Sequence, residues 1–257
     1  MNSQLGKRSR SMSALNKTAI VTGGSRGIGR AISKRLAQDG FAVMVNYLGN
    51  QKEAAQTVSD IENSGGRAEA VQGDVGNVED VARMFAAAEE TFGGVDVVVN
   101  SAGIMPLMPI AGADMAVFDK VINANLRGAF IVMGQAAEHL QKGGRIIVLS
   151  TSVIGPAFPG YGPYIAAKAG VEGLVRVLAN ELRGKGIAVN AIAPGPIGTD
   201  LFLAGKTEEQ IAKISSMAPL EPRIGTPEEI AGVASFLAGP DGHWVNAQIL
   251  RVNGGFA

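Results

Sequence analysis

Seven short runs of β-branched and small apolar residues recur along the chain, each separated from the next by a stretch long enough for a helix. They are "TAIVT" (18–22), "AVMVN" (42–46), "AEAVQ" (68–72), "VDVVVN" (95–100), "RIIVLS" (145–150), "IAVNAIA" (187–193) and "QILRVN" (248–253). Most are nearly continuous apolar runs rather than alternating ones, which marks strands covered on both faces and hence a parallel sheet. Parallel neighbours need long, right-handed crossovers, and the intervening segments, such as "GRAISKRLAQDG" and "VEDVARMFAAAEETFG", have the composition of helices. The pattern predicts an α/β fold: a doubly wound parallel seven-stranded sheet with helices on both faces. No linker or repeat divides it, so residues 17–257 are expected to form one domain.

The first run leads straight into "TGGSRGIGRAI". Gly23, Gly27 and Gly29, with Ser25, Arg26 and Ile28 between them, open the first helix. Glycines there permit a tight turn and bring backbone N–H groups close to a pyrophosphate at the helix N-terminus. A dinucleotide with a free ribose 2′-hydroxyl would want a carboxylate about twenty residues past the glycines, at the end of the second strand. Asn46 and Tyr47 stand there instead, while Arg26 adds a base inside the turn. A missing acid and an added guanidinium favour NADP(H).

Composition narrows the function further. Net charge is zero and only 5% of residues are aromatic, so nothing attracts nucleic acid in general or offers a stacking surface for bases. No apolar run reaches the length of a membrane span. The chain has no cysteine, which excludes disulfides and thiolate metal sites and fits a cytoplasmic location. Its two histidines, His139 and His243, are far apart, which argues against a histidine metal site or a Ser–His–Asp triad. The stretch 1–17 holds Lys7, Arg8, Arg10 and Lys17 and no acid. Residues 1–16 are expected to be a disordered basic tail, with Met12 as an alternative start.

"GYGPYIAAKAG" (160–170) puts Tyr164 and Lys168 one helical turn apart on one face. Taken with this pair, "TGGSRGIG", "GDV" (73–75), "NSAG" (100–103), "NANLRG" (123–128), "STS" (150–152) and "PGPIGT" (194–199) resemble the short-chain dehydrogenase/reductase family, from about Lys17 onward. Among its members the chain is most similar to carbonyl and 3-oxoacyl reductases, and the implied architecture is Rossmann-type. The resemblance implies that Asp74 and Val75 hold the adenine and that Asn100, Ala102 and Gly103 support the cofactor. Pro194 and Gly195 would make the turn before Ile197 and Thr199, which fix the nicotinamide carboxamide. Asn125, Ser152, Tyr164 and Lys168 would form the catalytic tetrad. Two departures stand out: Ser101 replaces a usual asparagine, and the spacing from Ser152 to Tyr164 is one residue short. Ser150, Thr151 and Ser152 all carry hydroxyls; Ser152 is preferred because Gly155 follows three residues on, with Thr151 second.

In this scheme Lys168 and an oxidised nicotinamide lower the Tyr164 pKa from about 10, so that the phenol serves as acid for reduction and base for oxidation. Lys168 would also bind the ribose, Ser152 would orient the carbonyl, and Asn125 would position a water behind Lys168. Tyr161 competes for the phenol role but lies seven residues from the lysine. Met105, Phe158 and Phe202, in segments 104–110, 154–160 and 199–217, suggest a lipophilic substrate pocket, the last segment serving as a lid. A 3-oxoacyl-carrier substrate is a weaker expectation, because Gly128–Gln141 has no Lys or Arg for an acidic carrier and leaves Arg183 and Lys185 as the candidates. A catalytically idle NADP(H)-binding regulator is the reading from another class. By family analogy the chain is expected to form a homotetramer or homodimer through segments 115–140 and 160–184, with the last residues packing at an interface.

Overall fold

The structure, a computed structural model, describes residues 17–257; the predicted basic tail and Met12 lie outside the described residues. Seven strands form one all-parallel sheet in the order β3-β2-β1-β4-β5-β6-β7. They are β1 (Thr18–Thr22), β2 (Ala42–Tyr47), β3 (Arg67–Gln72), β4 (Val97–Asn100), β5 (Arg145–Leu149), β6 (Ala188–Pro194) and β7 (Ile249–Val252). The helices are α1 (Gly27–Gln38), α2 (Gln51–Asn63), α3 (Val78–Phe92), α4 (Met115–Ile122), α5 (Gly128–His139), α6 (Gly162–Glu181), α7 (Asp200–Leu203), α8 (Glu208–Ser215) and α9 (Pro227–Ala238). Every expected strand is present, with ends shifted by at most two residues. β4 opens at Val97 instead of 95; just before it, the Asp96 carboxylate accepts the Thr18 N–H at 2.8 Å and its carbonyl accepts the Arg145 N–H.

Alternation along the central strands feeds two separate cores. Ile20, Met44, Val98 and Ile146 point to one face, where they meet Phe85 of α3, Val132 of α5 and Val175 of α6. Val21, Val43, Val99 and Ile147 point to the other, against Ile32 and Leu36 of α1 and Ile230 and Leu237 of α9. Full burial of one such side chain contributes about 1.5–3 kcal/mol. Both faces covered is the physical reason for the unbroken apolar runs. Edge strands β3 and β7 are partly exposed, and β3 accordingly alternates polar with apolar residues.

The chain moves outward from β1 through β2 to β3, then returns to place β4 on the other side of β1. Strand order therefore reverses between β1 and β4, and a crevice opens beyond their carboxyl ends. Thr22 locks this point. Its hydroxyl donates to Asn100 Oδ1 at 2.8 Å and accepts the N–H groups of Ser101 and Ala102 at 3.0 and 3.1 Å.

Candidate active site

A cavity of about 520 Å³ runs from this crevice toward the start of α6. One end is made by the glycine turn. A Cβ on Gly29 would collide with the Gly23 carbonyl oxygen, so the helix can start this close to the strand only with glycine there. Gly23 is itself held by Asn46, whose Oδ1 accepts the Gly23 N–H at 3.2 Å while its amide donates to the Gly73 carbonyl at 3.0 Å. Arg26 precedes α1 with an extended backbone and provides no side-chain cap, and the first turn contains no acid. By contrast, α2, α3, α8 and α9 each have a side-chain cap and acidic residues in the first turn. The free N–H groups and positive dipole end of α1 thus face the cavity without an internal counter-charge, the donor set that a pyrophosphate needs. The Arg26 side chain is exposed at the rim and enters no ion pair among the described residues. Beside it, Leu48, Gly49 and Asn50 also line the cavity, which the sequence reading missed. Its available signal was Asn50 as N-cap of α2, whose side chain accepts the Glu53 N–H.

Tyr164 and Lys168 are both buried, on the first two turns of α6. Lys168 Nζ donates to the Leu149 carbonyl at 2.7 Å and lies 5.8 Å from the Tyr164 ring centre. Burial pushes the Tyr164 phenol up to about 12, opposed by a hydrogen bond with the Thr151 side chain, while burial pulls the Lys168 ammonium down to about 8. The expected lowering of the phenol by lysine is therefore not produced by the protein's own groups. The ammonium is engaged with a carbonyl, and loss of solvent dominates at the tyrosine.

The hydroxyl residue facing Tyr164 is Thr151, which lines the cavity; Ser152 does not. Thr151 has an extended backbone, so successive side chains point to opposite sides and Ser152 is turned inward. Ser152 Oγ donates to the Ala193 carbonyl at 2.8 Å and accepts from Asn253 Nδ2 at 2.9 Å. The preference for Ser152, as catalytic and as substrate-binding residue, is corrected by this geometry. The one-residue shortfall in spacing was the signal, since Thr151 restores it.

Asn125 sits fully buried in a π-helical segment, Asn123–Arg127, between α4 and α5. Its amide donates to the carbonyls of Ile104 and Val121 at 2.9 and 3.0 Å, and its Oδ1 accepts the Ile104 N–H at 3.2 Å. It braces the loop after β4 that leads to Met105. A Cβ on Gly103 would lie 2.5 Å from Asn125 Oδ1 and 3.7 Å from Lys168 Nζ, so glycine keeps the gap between them open.

Of the other expected cofactor residues, Gly23, Ser25, Arg26, Gly27, Ile28, Gly29, Asn46, Tyr47, Asp74, Val75, Ala102, Gly103, Pro194, Gly195, Ile197 and Thr199 all line the cavity. Asn100 does not. It is buried beneath the crevice as the acceptor of the Thr22 hydroxyl. Met105, Phe158 and Phe202 line the substrate end. So do Tyr161 and Phe256, which the sequence reading did not place there. Residues 253–257, expected at an interface, form a turn held by Asn253 that brings Phe256 to this end of the cavity. The two histidines are elsewhere: His139 contacts Glu89 and His243 contacts Arg145.

Residues 23–257 match the family described as "Enoyl-(Acyl carrier protein) reductase". The chain is 43% identical to the "NADPH-dependent aldehyde reductase-like protein, chloroplastic" of Arabidopsis thaliana, over 93% of this chain and 94% of that one. It is 41% identical to the "Short-chain type dehydrogenase/reductase" of Picea abies, over 93% and 92% of the two chains. Among solved structures it is similar to a short chain dehydrogenase from Burkholderia cenocepacia J2315 in complex with NADP, with a TM-score of 0.89 and 34% identity over 95% and 98% of the chains. The site's geometry and these likenesses agree, and the chain belongs to the short-chain dehydrogenase/reductase family.

Proposed function

We propose that the protein reduces lipophilic ketones or aldehydes to alcohols with NADPH, through a Thr151–Tyr164 hydroxyl pair. At the coarser level it is an NADP(H)-dependent oxidoreductase acting on carbonyl and alcohol groups. The observation that carries the finer reading is one continuous cavity with an uncapped helix end and Arg26 at one limit and the Thr151 and Tyr164 side chains at the other. The α1 N-terminus would hold the pyrophosphate, Arg26 the 2′-phosphate, and Ile197 with Thr199 the carboxamide. NADPH, when bound, supplies the hydride. Thr151 donates to the substrate oxygen, and Tyr164, protonated near neutral pH, gives it the proton as negative charge develops there. Lys168, protonated below about 8, stabilises that charge, and Asn125 holds the loop and the gap behind it.

A thioester on a carrier protein is the second reading, favoured by the description of the matching family. The stretch Gly128–Gln141, with Phe130 exposed and no Lys or Arg, gives an acidic carrier little to grip. Rates on aryl ketones, aliphatic aldehydes and an acetoacetyl thioester, each with NADPH and NADH, test the proposal. It expects the free carbonyls with NADPH to be fastest; cofactor binding without turnover of any compound would favour an idle nucleotide-binding protein. We also assign a homodimer or homotetramer, on the exposed Met115, Phe130 and Val177 of α4, α5 and α6. No helix among the described residues is long and apolar enough to cross a membrane, and the absence of cysteine supports a cytoplasmic location.

A further inference from the structure

We infer that the substrate end of the cavity selects aryl carbonyl compounds, and that Ser152 contributes by holding Phe256 in place through Asn253. This rests on the carbonyl-reductase reading and names its substrate class. Three aromatic rings from two segments meet there. Phe158 and Tyr161 come from the loop between β5 and α6, and Phe256 from the segment after β7. Phe158 packs edge-to-face with Tyr161 at 6.2 Å and 61° and with Phe256 at 6.1 Å and 67°. All three line the cavity that Thr151 and Tyr164 also line. Tyr161 and Phe256 are buried although they border open space, so their rings form a fixed wall. An aryl ring entering there adds a further edge-to-face or offset partner to an existing aromatic set, and a saturated ring of the same size does not.

The wall is held by structure that the proton-transfer chemistry does not use. Ala157 adopts φ 52°, a left-handed conformation rare for a residue with a Cβ, immediately before Phe158. On the opposite side, Asn253 is the hub of the turn carrying Phe256. Its Nδ2 donates to Ser152 Oγ and to the Ala257 carbonyl, both at 2.9 Å, its Oδ1 accepts the Gly255 N–H at 2.9 Å, and its carbonyl accepts the Phe256 N–H at 3.1 Å. Ser152 donates in turn to Ala193 of β6. A continuous set of bonds thus connects the sheet to Phe256, and Ser152 is a positioning residue within it.

The test compares kcat/KM for benzaldehyde and cyclohexanecarboxaldehyde, with NADPH saturating, in the wild type and in Phe256→Leu, Phe158→Leu and Ser152→Ala. The wild type prefers the aryl aldehyde. Each leucine variant lowers the aryl-to-cyclohexyl ratio of kcat/KM by roughly two- to tenfold. Ser152→Ala moves the ratio the same way by a smaller factor and keeps cyclohexyl turnover. An unchanged ratio in both leucine variants, or a wild type without preference, overturns the aryl wall. Loss of both activities in Ser152→Ala overturns the brace and makes that hydroxyl catalytic. A wild type inactive on every carbonyl tried is a different result, one that removes the reductase reading itself.

Discussion

The two ends of the cavity are built by different means. At the nucleotide end the walls are mostly backbone: a glycine turn, an uncapped helix and the ends of β1 and β4, fastened by Thr22 and Asn46. At the substrate end they are side chains, Met105, Phe158, Tyr161, Phe202 and Phe256, brought from four distant places in the sequence. Backbone walls bind a part common to many dinucleotides, whereas side-chain walls can be exchanged without disturbing the sheet. The two ends should therefore fail in different ways.

At the substrate end the largest effect is expected from Thr151→Val. It keeps the shape and removes the hydroxyl, and kcat should fall about 10²–10³-fold with NADPH affinity retained. A rate near wild type would return the role to another hydroxyl. At the nucleotide end Arg26→Ala should weaken NADPH about tenfold or more and leave NADH nearly unchanged. Equal losses for the two cofactors, measured by fluorescence titration, would remove Arg26 from the 2′-phosphate. Between the ends lies Lys168, which burial holds at about 8. Reduction should be level below that pH and fall as pH rises through it, while the Tyr164 phenol stays protonated up to about 12. The same depression has the opposite sign for stability. The unfolded chain keeps its lysine proton up to about 10.5, so between about 8 and 10.5 unfolding takes up a proton and stability rises with pH. Smallest is Thr226→Ala, which breaks the capping box of α9 behind the glycine turn. It should cost about 1 kcal/mol of stability in denaturant melts and leave kcat unchanged.

The same contrast explains what could be read from the sequence. All seven strands were legible, because a sheet buried on both faces leaves unbroken apolar runs. Gly23, Gly27 and Gly29 were legible because a backbone that must approach a ligand admits little else. Asn100, expected to support the cofactor, stands at the end of β4 and accepts the Thr22 hydroxyl. Phe256 could not be found: nothing local says that a residue beyond β7 packs on Phe158, and only the bonds of Asn253 bring it there. The choice between Thr151 and Ser152 turned on which of two neighbouring hydroxyls points outward. The contacts of Ser152 with Ala193 and Asn253 turn it away from the cavity, and a local glycine pattern does not show them.

The measurement that reaches the centre of the account is single-turnover reduction of an aryl aldehyde by Tyr164→Phe, with NADPH binding followed in the same samples. Tyr164 is expected to be the proton donor, so reduction should fall at least about 10²–10⁴-fold while NADPH binds with nearly the wild-type affinity. Reduction at the wild-type rate would contradict it.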